Sequence, residues 1–199
     1  QLSPQEINKK ADQSEVRSLN HDLEKKMIDI IKNAKEKGDS VGGSFQIHIS
    51  GAPYGLGSYT SWDEKLNARL GYAILSINGI KSFDIGLGSL SGEKTGSKLH
   101  DEIFYDKTFQ RRSNNCGGIE GGISNGQKII ISATMKPIPT LIKPLKSIDI
   151  ISKEEKLAHK ERTDSCAVPA ASIVAESMLC FVLADALLEK FGGDSINQL

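Results

Sequence analysis

The sequence predicts an α+β protein whose helices pack against antiparallel β-sheets. Three observations carry that expectation. Apolar residues recur at helical spacing in 20–38, 61–79 and 169–191. Short β-length segments, apolar or alternating, fall at 45–49, 80–85 and 127–135. The resulting order is αβ, αβ, β, β, α, without regular crossover helices between strands, which disfavours a doubly wound parallel sheet.

Each element has its own warrant. Residues 1–20 are polar and aperiodic and read as a linker or mobile edge, leaving 21–199 as one piece of a single domain. Asn20 can cap a helix whose stripe is Leu23, Met27, Ile30, Ile31 and Ala34, and Gly38 stops it. The turn Gly38-Asp39-Ser40-Val41-Gly42-Gly43 leads into a strand where Phe45, Ile47 and Ile49 alternate with Gln46 and His48. Loop chemistry fills Gly51 to Gly57. A second helix is expected from about Ser61, with Leu66, Leu70, Ala73, Ile74 and Ile77 as its stripe, ending near Asn78-Gly79. Ile80 to Ile85 reads as a strand, 86–125 as long loops with one short strand, and Gln127 to Met135 as a strong strand that Lys136-Pro137-Ile138-Pro139-Thr140 ends. Pro169 to Phe191 is apolar nearly all round, so it is expected to be a buried helix closed by Gly192-Gly193.

Composition narrows the function classes. The chain has 199 residues, 25 basic and 25 acidic, so no global charge excess favours nucleic acid. Apolar residues make up 38%, enough for a core, and 19 glycines exceed the roughly 7% of average usage. Cys116, Cys166 and Cys180 form no CxxC pair and suit a reducing compartment, and neither they nor the scattered histidines predict a metal site. The run Met178 to Ala184 is too short to span a bilayer, so no membrane partner is expected. The chain opens at Gln1, and is expected to be processed or a piece of something longer.

Chemistry concentrates in three segments. Asn114 to Gly126 has five glycines in thirteen residues, backbone that can turn N–H groups toward an anion. It matches neither a Walker A nor a Rossmann fingerprint, and a structural glycine loop is the commoner reading. Lys136 stands at a strand end before a proline-fixed segment, suited to an anion, although a solvated lysine there is commoner. Arg162 and Asp164 lie two residues apart ahead of the last helix. The arginine could hold a phosphate and the aspartate a proton, or the two could form a structural pair. Glu176 and Asp185 sit on opposite sides of the last helix and are expected to satisfy buried neighbours. His21 and His48 are expected to be solvated, and Arg111-Arg112 to be exposed or to meet a phosphate.

From about Asp22 to Ser195 these motifs together resemble the chorismate synthase family. The matching stretches are Gly38–Gly43, Pro53-Tyr54-Gly55-Leu56-Gly57, Ser76-Ile77-Asn78-Gly79-Ile80-Lys81, Asn114–Gly126, Met135–Thr140, and Arg162–Pro169 with Ala175-Glu176-Ser177-Met178. Thr163 and Cys116 depart from the residues usual there. The resemblance implies an α-helical core between antiparallel sheets, in a cytoplasmic homotetramer of the shikimate pathway associated with NADPH. It implies 1,4-anti elimination of phosphate and the C6 proton from 5-enolpyruvylshikimate 3-phosphate, with reduced FMN as cofactor.

Site roles follow from the same resemblance. Asn78, Gly79 and Gly121 match flavin contacts. Lys136, Pro137, Ile138, Pro139 and Thr140 match the segment at the flavin phosphate and ribityl side. Arg162 matches a basic residue at flavin and substrate, and Asp164 the aspartate near the flavin N5, expected to be held rigidly in a partly dry site. The family's GESHG segment, Ser-Gly-Arg flavin segment and catalytic histidines have no counterpart among these residues. The chain is therefore expected to be a carboxy-terminal portion, inactive alone. A non-catalytic folded fragment or assembly module is the alternative.

Overall fold

A computed structural model of the chain describes residues 2–161 and 163–193. The elements run α1 (Pro4–Ala11), α2 (His21–Glu36), β1 (Gly43–Ile49), α3 (Leu66–Leu75), β2 (Ile80–Ile85), α4 (Gly96–Leu99), β3 (Ile103–Asp106), β4 (Thr108–Arg111), β5 (Ile119–Glu120), β6 (Ile123–Ser124), β7 (Ile129–Met135), β8 (Lys146–Ile148), β9 (Glu155–Leu157) and α5 (Val168–Phe191). They fall into two compact units, 1–44 with 135–171, and 45–134 with 172–199.

In the first unit, the segment expected to be a polar linker contains α1. Ser3 and Glu6 close a capping box around its start, which supplies locally what an apolar stripe does not. α2 begins as expected, with Asn20 Oδ1 accepting from the N–H groups of Asp22 and Leu23 at 2.9 and 3.0 Å. Gly38 ends it at φ +69°, and the Asp39 N–H reaches back to the Ala34 carbonyl at 2.9 Å. The antiparallel hairpin β8–β9 pairs Lys146 with Leu157. Both its strands are exposed, so no buried alternation marked it in the sequence.

The second unit is built on a three-stranded sheet in the order β1–β7–β2. β7 occupies the centre, and Ile129, Ile131 and Ala133 are its buried positions. α3 packs on β2, where Gly71 meets the Phe83 ring. The helix starts at Leu66 rather than Ser61. The Ser58 N–H bonds to the Glu64 carbonyl at 3.2 Å and the Leu66 N–H to the Gly122 carbonyl at 2.8 Å, which holds the preceding residues in a turn. Residues 86–125 contain two antiparallel hairpins, β3–β4 and β5–β6, rather than one short strand.

α5 corrects an expectation. Ala175, Leu179 and Ala186 are buried, but Ile173, Val174, Phe181 and Leu188 are exposed, with Phe181 at 74%. A helix apolar all round is buried only where protein covers every side. By length and composition α5 could cross a membrane: its most apolar 18-residue window has mean hydropathy 1.9 and is 28% buried. The seven-residue run noted in the sequence missed this because polar residues interrupt a 24-residue helix without breaking it. One of them, Asp185, together with Glu189, pairs with Arg69 of α3, whose side chain is largely buried.

Candidate functional site

In the first unit the turn 38–43 gathers two of the segments singled out by sequence. Lys136 follows the end of β7 and is exposed. Pro137 and Pro139 contribute no N–H, and Ile138 is pushed toward extended backbone by the proline after it. The segment is held through a carbonyl instead: the Ser40 hydroxyl donates to the Ile138 oxygen at 2.6 Å. A Cβ on Gly42 would overlap the Met135 carbonyl and stand 2.9 Å from Lys136 C and Pro137 N, so the turn lies directly against this backbone. One residue earlier, the Val41 N–H donates to the Ser165 carbonyl at 2.8 Å. Asp164 is the neighbour of that tied residue. It is exposed, not in a partly dry site as expected, because none of the described residues covers its carboxylate. Arg162 lies outside the described residues, and with it the expected Arg162–Asp164 relation.

In the second unit the Asn114–Gly126 loop is clamped from below by Asp101, only 8% exposed. One Asp101 carboxylate oxygen accepts from the Ser113 hydroxyl at 2.5 Å and the Asn115 N–H at 2.8 Å, and the other from the Cys116 N–H at 3.0 Å. Burial raises the pKa of Asp101, but these bonds outweigh it and bring the value down to about 2. Cys116 moves the opposite way, to about 12, through burial and then the nearby Asp101 and Glu120 carboxylates. That thiol stays protonated at neutral pH and is no nucleophile.

The loop glycines divide by what surrounds them. A Cβ on Gly118 would stand 2.7 Å from the Lys128 carbonyl, and Gly117, Gly122 and Gly126 are similarly crowded. The structural reading of the loop therefore holds for these four. Gly121 differs: its φ is +60°, it is exposed, and nothing lies within 4 Å of where a Cβ would be. The neighbouring turn is braced by Glu120, which takes Arg111 at 2.5 Å and the Asn125 amide at 2.8 Å. Arg112 pairs with Glu102 at 3.0 Å, so both arginines of the basic step are in ion pairs. Asn78 and Gly79 form another turn, closed by the Ile80 N–H on the Ile77 carbonyl at 3.1 Å, where Gly79 takes φ +87°.

His48 is not solvated as expected. It is half-buried, its Nε2 lies 2.6 Å from Gln46 Oε1, and its buried Nδ1 has no hydrogen-bond partner among the described residues. Burial and then the Lys128 charge hold its pKa below the usual histidine value. The sequence names Ser40 and Gly42 only as parts of a turn and assigns no role of their own to them or to Asp101. A serine within a glycine-rich turn was the signal for the first two, and nothing in the sequence around Asp101 distinguishes it from a surface aspartate.

An α+β chain that holds an exposed lysine on a proline-fixed strand end through the turn 38–43 has the makings of an anion-binding site of the kind small-molecule enzymes use. The family model described as chorismate synthase matches residues 2–188. The chorismate synthase of Alkaliphilus metalliredigens is 53% identical over 193 residues, 96% of this chain and 51% of that protein. That of Geobacter sulfurreducens is 51% identical over 195 residues, 94% of this chain and 50% of that protein. A crystal structure of chorismate synthase superposes with a TM-score of 0.80 at 40% identity, covering 96% of this chain and 50% of that one. The chain belongs to the chorismate synthase family, whose members are lyases. It spans about half the length of the curated relatives it matches, aligning to their carboxy-terminal part.

Proposed function

We propose that this chain supplies the carboxy-terminal half of a reduced-FMN-dependent chorismate synthase site acting on 5-enolpyruvylshikimate 3-phosphate. The complete enzyme would be a cytoplasmic homotetramer. The observation that carries the reading is the turn 38–43, which holds the Lys136–Thr140 segment and the Asp164–Ser165 segment at once. An exposed ammonium on stiff backbone suits a phosphate dianion, and the open approach to Gly121 suits a flat ring pressed close to main chain.

Within the first unit, Lys136, Pro137, Ile138, Pro139 and Thr140 hold the flavin phosphate and ribityl side. Lys136 supplies the charge, and the prolines supply rigidity. Arg162 serves flavin and substrate, and Asp164 accepts and returns a proton at a carboxylate oxygen. Within the second unit, Asn78, Gly79 and Gly121 contact flavin through turns that leave backbone accessible. Reduced FMN held by these residues would supply electron density for the loss of phosphate. The rest of the site lies in the half of the enzyme that this chain does not span, including whatever dries the surroundings of Asp164.

The test is Lys136→Ala in the full-length enzyme. A charged hydrogen bond contributes about 1.5–3 kcal/mol, so the FMN Kd should rise roughly 10- to 150-fold. The melting temperature without flavin should change little, because Lys136 is exposed. Unchanged flavin affinity in a folded variant overturns the assignment.

A further inference from the structure

We infer that Ser40 is a positioning residue for the anion-binding segment, setting where the Lys136 ammonium stands relative to Asp164. The inference rests on the flavin reading above and adds the device that fixes its geometry.

Ser40 is 8% exposed, and its hydroxyl donates to the Ile138 carbonyl at 2.6 Å across 98 residues of sequence. Ile138 sits between two prolines, so its flanking residues offer no backbone donor for a ladder. Beyond the end of β7, the Ser40 hydroxyl tethers this stretch to the turn, and the Lys143 N–H bonds the Gly38 carbonyl at 3.0 Å further along. Its backbone is fixed in turn: the Ser40 N–H bonds to Asp39 Oδ1 at 2.8 Å, and the α2 C-terminus anchors Asp39. Next to it, the Val41 N–H holds Ser165, and Gly42 lies in contact with Met135 to Pro137. Consecutive residues of one turn therefore hold the lysine segment on one side and the aspartate segment on the other. A shift of the Ile138 carbonyl away from Ser40 moves Lys136 while leaving Ser165 in place.

The experiment is a double-substitution cycle in the full-length enzyme, read as the Kd of oxidised FMN by fluorescence titration, with melts of the flavin-free proteins. Ser40→Ala should raise the Kd roughly 3- to 10-fold, the range of one buried neutral hydrogen bond, and Ser40→Cys should raise it less. In the Lys136→Ala background the same substitutions should change the Kd by less than about twofold, because the group they position is gone. A merely structural role for Ser40 lowers the melt equally in both backgrounds and leaves the Kd of the folded fraction alone, and that result overturns the inference. So do additive effects on Kd in the two backgrounds. Should Ser40→Ala not fold, Ser40→Cys carries the same cycle. If Lys136→Ala alone leaves the Kd unchanged, the flavin reading fails. If Lys136→Ala weakens binding and the Ser40 substitutions do not, only the positioning role fails.

Discussion

At the scale of single residues, the buried carboxylate of Asp101 holds the glycine-rich loop most firmly. Its pKa falls from 3.8 to about 2, so the unfolded state binds the proton more readily than the folded one. Stability from this group is fully present above pH about 4 and is lost as the pH falls through about 2. The difference corresponds to about 2 kcal/mol. Asp101→Asn keeps the shape but gives up charge-assisted acceptance from Ser113, Asn115 and Cys116. Urea unfolding should show the variant about 1–3 kcal/mol less stable at pH 7, with the gap narrowing toward pH 2. A gap that stays constant with pH contradicts the clamp. The other loop residue of interest, Gly121, was matched to flavin by resemblance alone. Its glycine neighbours turned out to be packing positions, a distinction that depends on what surrounds each one and that no count of glycines contains.

At the scale of elements, legibility followed local chemistry. The Asn20 cap and Gly38 stop of α2 were readable because both act within one turn of the helix ends. β7 was readable because Ile129, Ile131 and Ala133 recur every second residue. α3 began later than its stripe suggested, because the carbonyl that accepts from its first N–H belongs to Gly122, far along the chain. β8 and β9 were invisible because exposed strands carry no burial pattern. The apolar pattern of α5 predicts the helix but not its exposed face, since periodicity reports apolarity and not what covers it. The narrow buried stripe of α5 makes a sharp prediction. Leu179, 1% exposed, should cost about 2–5 kcal/mol when changed to alanine, a loss measurable by denaturant unfolding. Phe181→Ser, on the exposed face, should stay within about 0.5 kcal/mol. Equal costs would show that the helix packs differently.

At the scale of the whole molecule, the chain combines a recognisable family with half of its relatives' length. Its apolar α5 face and its exposed Asp164 are properties of that half. The Lys136–Thr140 and Asp164–Ser165 segments are legible in sequence as motifs, but their meeting at the turn 38–43 is not. Ser40 and Ile138 are separated by 98 positions, and only the fold brings the hydroxyl to the carbonyl. The central claim is that this half brings a phosphate-holding lysine and a proton-holding aspartate to one site. Anaerobic turnover of 5-enolpyruvylshikimate 3-phosphate by full-length Asp164→Asn, with reduced FMN supplied, tests it most directly. The account predicts a kcat lower by roughly 10²–10⁴, the usual contribution of positioned proton transfer, with oxidised-FMN affinity and melting temperature near those of the unsubstituted enzyme. A well-folded Asp164→Asn enzyme with near-normal kcat would contradict it.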